Sequence, residues 1–232
     1  MRRYYTLLLR LEGPMQSWGY RSRFDYRDTA LEPTRSGVIG LICAAMGIAR
    51  EDEKEILRFE PIRMGVRVDE PTYWRTCFPR TVYQGPRPER DYHTAGGDHR
   101  EPREYGVIKA DGKGIDTVVS YRDYLADASF TVGLQSEDLQ LLQDIADALQ
   151  NPQWPLFLGR KAFPLAVPPL KPGEVPKEGC LEDHLLTDDK KKRVVRESLD
   201  GERTQHDWPL SFSERRFKPR TVTTSFTGGI ES

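Results

Sequence analysis

Cysteine is scarce and scattered in this chain: Cys43, Cys77 and Cys180 are the whole set. An odd number at such separations, with no Cys-x-x-Cys pair, argues against a disulfide framework or a paired-cysteine metal site. Histidine is as rare, with four in 232 residues. No His-Glu-x-x-His, Gly-x-Ser-x-Gly or phosphate-loop signature appears. No apolar run approaches the roughly 20 residues that cross a bilayer. The apolar stretch after Arg2 and Arg3 runs to only about six residues, too few for a signal-peptide core. The expectation is a cytoplasmic protein with no metal, no cofactor and no membrane contact.

Net charge is nearly absent too, at −1, but its distribution is uneven. Residues 1–50 carry eight Lys and Arg against four acids, whereas residues 110–155 carry two against eight. A neutral total of this kind can hide one face suited to an anion and another that repels it.

What is present reads as an α/β chain. Residues 3–11 are almost continuously apolar, the pattern of a central strand. A helix is expected over 35–48, with Thr34 or Ser36 as N-cap and Pro33 just before it. Its apolar residues surround most of the circumference, so it is buried on most sides. Gly37 and Gly40 permit close packing or a close-approaching ligand. A short acidic helix follows near 51–58, then a period-two strand over 62–69. Residues 73–123 break the regular order and hold one or two hairpins. Strand 128–134, helix 137–149 and a short strand near 162–167 complete β-α-β, insertion, β-α-β. That order is the ferredoxin-like split βαβ arrangement, of class α+β. The domain expectation is 1–169 with the insertion at about 73–123, followed by a small β-rich segment over 170–232.

Three clusters could carry chemistry. The helix start at Thr34-Arg35-Ser36-Gly37 offers N–H groups, a partial positive charge and a guanidinium, which suits a phosphate. Gln16, Trp18 and Tyr20 precede it and add flat, polar groups for stacking. The insertion interleaves rings and cations: Tyr73, Trp74, Arg75, Arg80, Tyr83, Arg87, Arg90, Tyr92, His93, His99, Arg100, Arg103 and Tyr105. Gly96-Gly97 marks its turn. Leu158-Gly159-Arg160-Lys161 adds two cations after a glycine. The bland alternatives are a capped helix with an exposed arginine and a polar hairpin that contacts protein. His93 with Tyr92 and Lys109 leaves open a metal-independent cleavage of RNA. Lys190 to Arg193, after Asp188-Asp189, reads as a solvated loop or a weak, salt-sensitive nucleic-acid contact.

At these positions the chain resembles a known family. The segments Gly13-Pro14-Met15-Gln16-Ser17-Trp18-Gly19, Pro33-Thr34-Arg35-Ser36-Gly37, Asp91-Tyr92-His93-Thr94, Tyr121-Arg122-Asp123-Tyr124 with Asp127-Ala128-Ser129-Phe130, and Leu158-Gly159-Arg160-Lys161 are similar to the CasD family. These are CRISPR-associated subunits of the type I-E Cascade complex, within the RAMP superfamily. The resemblance implies an RRM-related, ferredoxin-like domain with a protruding β-hairpin thumb. It also implies a non-catalytic subunit that caps the 5′ handle of the mature CRISPR RNA and contacts a backbone subunit and the large subunit. Target DNA would be met only through the complex. Carried over by motif, the RNA surface comprises Gln16, Trp18, Arg35, Ser36, Tyr92, His93, Thr94, Arg122, Arg160 and Lys161. Two rivals stand beside it: a metal-independent endoribonuclease acting on repeat RNA, and a scaffold that binds only protein. On the RNA-binding reading, Arg35, His93 and Arg160 converge on one groove.

Overall fold

The computed structural model describes residues 2–19, 25–71, 73–77, 80–96, 107–108, 115–186 and 191–228. In chain order the elements are β1 (Tyr5–Gln16), β2 (Tyr26–Arg27), α1 (Arg35–Met46), α2 (Glu53–Leu57), β3 (Arg63–Glu70), β4 (Tyr73–Cys77), β5 (Arg80–Gln84), β6 (Pro88–Ala95), β7 (Val107–Ile108), β8 (Ile115–Asp116), β9 (Val118–Ser136), α3 (Leu139–Gln150), β10 (Lys177–Glu178), α4 (Leu181–Leu185), β11 (Arg193–Glu197), β12 (Arg203–Ser211) and β13 (Arg216–Phe226). The main sheet runs β10-β1-β9-β3-β11-β13-β12, with β2 and β6 also paired to β9. It is a mixed α/β protein built on one large, mainly antiparallel sheet.

The core follows from strand register. Leu7, Leu134 and Met64 lie side by side across β1, β9 and β3. So do Leu9, Val132 and Val66, and then Leu11, Phe130 and Val68. All are at most 2% exposed, and Val38, Ile42, Leu142 and Ile145 from α1 and α3 belong to the same cluster. Burying one such side chain contributes roughly 1.5–3 kcal/mol. Cys43 is part of this core, and burial pushes its thiol up to about 12. On the opposite face Gly65 faces Gly133. A Cβ there would meet Leu185 at 2.6 Å or Leu181 at 2.8 Å, which is how α4 lies flat on the sheet.

The structure moves several expected boundaries. Helix α1 stops at Met46 because Gly47 adopts φ +72 as its C-cap. No strand forms over 162–167. Pro164, Pro168 and Pro169 cannot donate to a ladder, and only single bonds tie this stretch to β1, from Ala166 N to Glu12 O and from Arg10 N to Pro169 O. The outer position beside Tyr5 and Thr6 is taken instead by β10. The strand expected at 128–134 is the end of a 19-residue strand, β9. Its first half returns from the insertion paired with β6, and its second half lies between β1 and β3. Beyond residue 170, β11 pairs with β3, so β11, β13 and β12 widen the same sheet. Among the described residues no helix is long and apolar enough to cross a membrane.

Candidate nucleic-acid interface

The α1 N-terminus, expected to receive a phosphate, is already filled from within. Thr34 is the N-cap and accepts from the Gly37 amide. The Arg35 amide donates to Asp207 Oδ2 at 2.8 Å. The Arg35 side chain is 1% exposed. Its Nη1 donates to Glu197 Oε1 (2.9 Å) and to the Ile62 carbonyl (2.5 Å), and Nη2 to the Phe59 carbonyl (2.8 Å). Its guanidinium lies 3.9 Å from the centre of a Trp208 ring. Arg220 closes the network through Asp207 and Glu197. Burial lowers the Arg35 pKa and the repulsion of Arg220 adds to this, while Glu197 and Asp207 pull it back up. Two cations and two carboxylates thus neutralise each other away from water. Arg35 is corrected from phosphate ligand to internal ion pair, and Ser36 beside it is half-buried.

The Gly13–Gly19 segment is corrected in the same way. Gln16 is 0% exposed and donates to the Leu11 and Ala128 carbonyls at 3.2 and 2.6 Å. Its Oε1 accepts from the Trp18 indole at 3.1 Å. Trp18 is 1% exposed and packs so closely on α1 that a Cβ at Gly37 would lie 2.7 Å from its ring. Ser17 donates its amide to the Leu158 carbonyl at 3.0 Å and its hydroxyl to the Asp123 carbonyl at 3.2 Å. Gly159, at φ +89, passes so close to the Ser17 carbonyl that a Cβ would sit 1.8 Å from it. These residues act as a brace that docks the 158–163 turn, and neither flat side chain faces solvent.

That brace delivers Arg160 to the root of the β6–β9 ribbon. Arg160 Nη2 donates to the Asp123 carbonyl at 2.7 Å, and its guanidinium lies 5.1 Å from the centre of the Phe163 ring. Arg122 is half-buried and donates from Nε to Ser120 Oγ at 2.9 Å. Burial lowers the Arg160 pKa, and Arg122 lowers it further, while Asp91 and Asp123 partly restore it. Both arginines bond on this stretch of β9, Arg122 to Ser120 Oγ and Arg160 to the Asp123 carbonyl. Directly paired residues share a face of an antiparallel ribbon. Asp91↔Arg122 and His93↔Ser120 thus lie on this cationic face, where His93 Nδ1 is 3.6 Å from Asp91 Oδ2. Lys161 follows Arg160 and is exposed.

Tyr92 and Thr94 fall on the other face, paired with Tyr121 and Val119. Tyr92 is 63% and Tyr121 45% exposed, with ring centres 5.7 Å apart in an edge-on pair. Asp123 points to this side too. It accepts from Arg90 Nε at 3.0 Å and from the Tyr26 hydroxyl. Burial alone would push the Asp123 carboxyl up, but its bonds from Arg90 and Tyr26 hold it below the usual range. The bond to Asp123 raises the Tyr26 pKa.

Of the ten expected site residues, Arg122 and Arg160 are anchored on the ribbon stretch of β9, and His93 lies further along the ribbon opposite Ser120. Lys161 follows Arg160 and is exposed, and Ser36 is half-buried beside Arg35. Tyr92 and Thr94 share the ribbon but face away. Gln16, Trp18 and Arg35 are interior, so the expected groove does not include Arg35. Lys192 and Arg193, expected in a solvated loop, are about 13% and 12% exposed and pair with Asp69 and Glu32. Tyr20, Gly97, His99, Arg100, Arg103, Tyr105, Lys109, Asp188, Asp189 and Lys190 lie outside the described residues, as do the side chains of Tyr73, Trp74, Arg75, Arg80 and Tyr83. The roles of Asp123 and Tyr26 went unread. The signal that could have found them is the alternation of Tyr121 and Asp123 against Arg90 and Tyr92.

Residues 6–223 match the family described as CRISPR-associated protein (Cas_Cas5). The CRISPR system Cascade subunit CasD of Escherichia coli (strain K12) is 35% identical over 165 residues, 70% of this chain and 68% of that protein. A solved chain of a CRISPR RNA-guided surveillance complex superposes with a TM-score of 0.73 at 33% identity, covering 96% of this chain and 90% of its own. A crystal structure of a Cas protein gives 0.65 at 34% identity, covering 95% and 94%. Sequence and fold agree across nearly the whole length, and the chain belongs to the CRISPR-associated Cas5 family.

Proposed function

We propose that this protein is a non-catalytic, RNA-holding subunit of a cytoplasmic CRISPR surveillance ribonucleoprotein of the Cascade type. It grips the 5′ handle of the CRISPR RNA at the root of the β6–β9 ribbon. The observation that carries this reading is the anchoring of Arg160 on the Asp123 carbonyl, next in β9 to Arg122. Two guanidiniums presented by neighbouring anchors suit a phosphodiester. Lys161 and His93 extend the same surface. The likeness to a Cascade subunit and to a chain of a surveillance complex supports the assembly part of the proposal; contacts with a backbone subunit and the large subunit belong to the proposal itself.

The fold reading goes with it. In the order β1-α1-β3, ribbon, β9-α3-β10, the strands lie side by side as β10-β1-β9-β3. That is the order of a ferredoxin-like, RRM-related domain, with the 73–123 region as its thumb and β11 to β13 as an added sheet.

The test is binding of labelled single-stranded RNA copied from the cognate CRISPR repeat, measured in EDTA. Wild type should retain intact RNA, and Arg122→Gln or Arg160→Gln should weaken retention about tenfold, the loss of one charge-assisted contact. Site-specific cutting abolished by His93→Ala would replace this reading with the endoribonuclease. Binding that ignores both arginines would reject the site.

A further inference from the structure

The face of the ribbon turned away from Arg122 carries a row of tyrosines. Register sets Tyr92 of β6 opposite Tyr121 of β9, and Tyr26 of β2 beside Tyr121 on its other edge. Residues paired in this way share a face, so three rings stand in line across three strands. They are 63%, 45% and 37% exposed. Apolar residues scattered singly in water need no explanation, but rings in one contiguous row mark an interaction site.

The row is held in place before anything binds. β6 pairs with β9 along its whole length, from Pro88 to Ala95. On the other edge the Tyr121 amide donates to the Asp25 carbonyl at 2.7 Å. Arg90 covers the Tyr26 ring at 4.9 Å and donates to its hydroxyl at 2.7 Å. Rings fixed in this way lose little freedom on association.

What the row lacks decides its occupant. On these three strands the only charged side chains of that face are Arg90 and Asp123, joined to each other at 3.0 Å. Their charges cancel, and no cation is left over for a phosphodiester. Nor do the rings offer successive bases parallel faces to stack on: Tyr92 and Tyr121 meet edge-on, 68° apart. Tyrosine with arginine, and few other charges, is instead the composition of protein–protein interface centres. Among the described residues the Tyr92 and Tyr121 hydroxyls have no hydrogen-bond partner, which leaves both to bond acceptors across a contact.

We infer that the tyrosine row is a protein-docking surface, which receives an uncharged, acceptor-bearing surface of a neighbouring subunit while the opposite face of the ribbon meets RNA. This rests on the assembly reading above and names the surface that serves it.

The experiment uses the full-length chain, co-expressed with the other subunits of its cognate complex and a CRISPR array, and captured through a tag on this chain. The Tyr92→Ser, Tyr121→Ser double variant should recover about tenfold less of those subunits than wild type, the loss expected when two anchoring rings are truncated. Affinity of the isolated variant for fluorescein-labelled RNA of the cognate repeat, read by anisotropy, should stay within about twofold of wild type. Undiminished recovery of the subunits would overturn the inference. So would an RNA affinity that falls with assembly, in favour of base stacking. Should the double variant not fold, p-benzoylphenylalanine placed at Tyr92 carries the test. Irradiated in the complex, it should crosslink to the polypeptide of another subunit; a crosslink to RNA, or none, overturns the role. If the wild-type chain brings down no other subunit, the assembly reading itself fails, a result distinct from failure of the tyrosine row alone.

Discussion

Replacing Arg35 with methionine separates an internal role from an RNA-binding one. Methionine keeps much of the side-chain length but removes the guanidinium. The Ile62 carbonyl then loses its guanidinium donor, the Phe59 carbonyl keeps only the Ile62 amide, and Glu197 is left with Arg220 alone among the network's cations. Removing one partner of a buried ion pair costs about 3–5 kcal/mol, since the remaining charge stays desolvated. In a protein of this size each kcal/mol moves the midpoint by about 2–4 °C. Thermal unfolding followed by circular dichroism at pH 7 should therefore show Arg35→Met melting about 6–20 °C below wild type. Arg35→Lys should rescue little, because an ammonium cannot span the two carbonyls and the carboxylate in one plane. The reverse pattern is expected of Arg160→Gln, with a near-normal midpoint and weakened RNA binding. If Arg35→Met instead melts within about 2 °C of wild type and loses RNA, the buried-network argument is wrong.

Three further outcomes follow from the same geometry. Gly159→Ala should both destabilise the protein and weaken RNA binding, because φ +89 and a 1.8 Å clash with Ser17 force the turn bearing Arg160 to move; a normal midpoint with normal affinity refutes the brace. Burial alone would push the Glu32 carboxyl up, but Arg193 and Arg203 hold it below its ordinary value. The stability it provides is therefore present above the unfolded carboxylate range and is lost as pH falls through the lowered value. The gap in midpoint between wild type and Glu32→Gln should be widest near neutrality and close on acidification, and a gap independent of pH contradicts this. For RNA binding, log–log salt plots should lose about 0.7 in slope in Arg160→Gln, one phosphate contact on a single strand, whereas an unchanged slope removes Arg160 from the interface.

Legibility in the sequence followed the range of the forces involved. The β1 run, α1, α2, β3 and α3 could be read because apolar periodicity is a local signal. The helices and β3 were placed within a few residues, whereas β1, expected to end at 11, runs on to Gln16 through a stretch whose glycine and proline hide it. The family motifs were legible as well. Their physical role was not, since Gln16, Trp18 and Arg35 are polar or amphipathic residues that short-range reasoning sends to the surface. Their partners, Ala128, Asp207, Glu197 and Trp208, lie far away in sequence, and only the closed sheet brings them near. The pairing of β11 with β3 was hidden for the same reason. On the ribbon, the residues were read but not their sides, because the face assigned to Tyr92 or His93 depends on the register with β9, and no turn adjacent in sequence sets it.

That nineteen-residue strand also has a mechanical consequence. Its far end is clamped between two neighbours in the interior and its near end pairs with β6, and the two halves meet next to Asp127, whose φ of +47 bends the strand. Turning the ribbon would break ladder bonds shared with the central layer. Leu125, paired with both Gln16 and Pro88, fixes the base of the ribbon against the central layer as the chain folds, so a defect in the interior at that point would be passed to the ribbon.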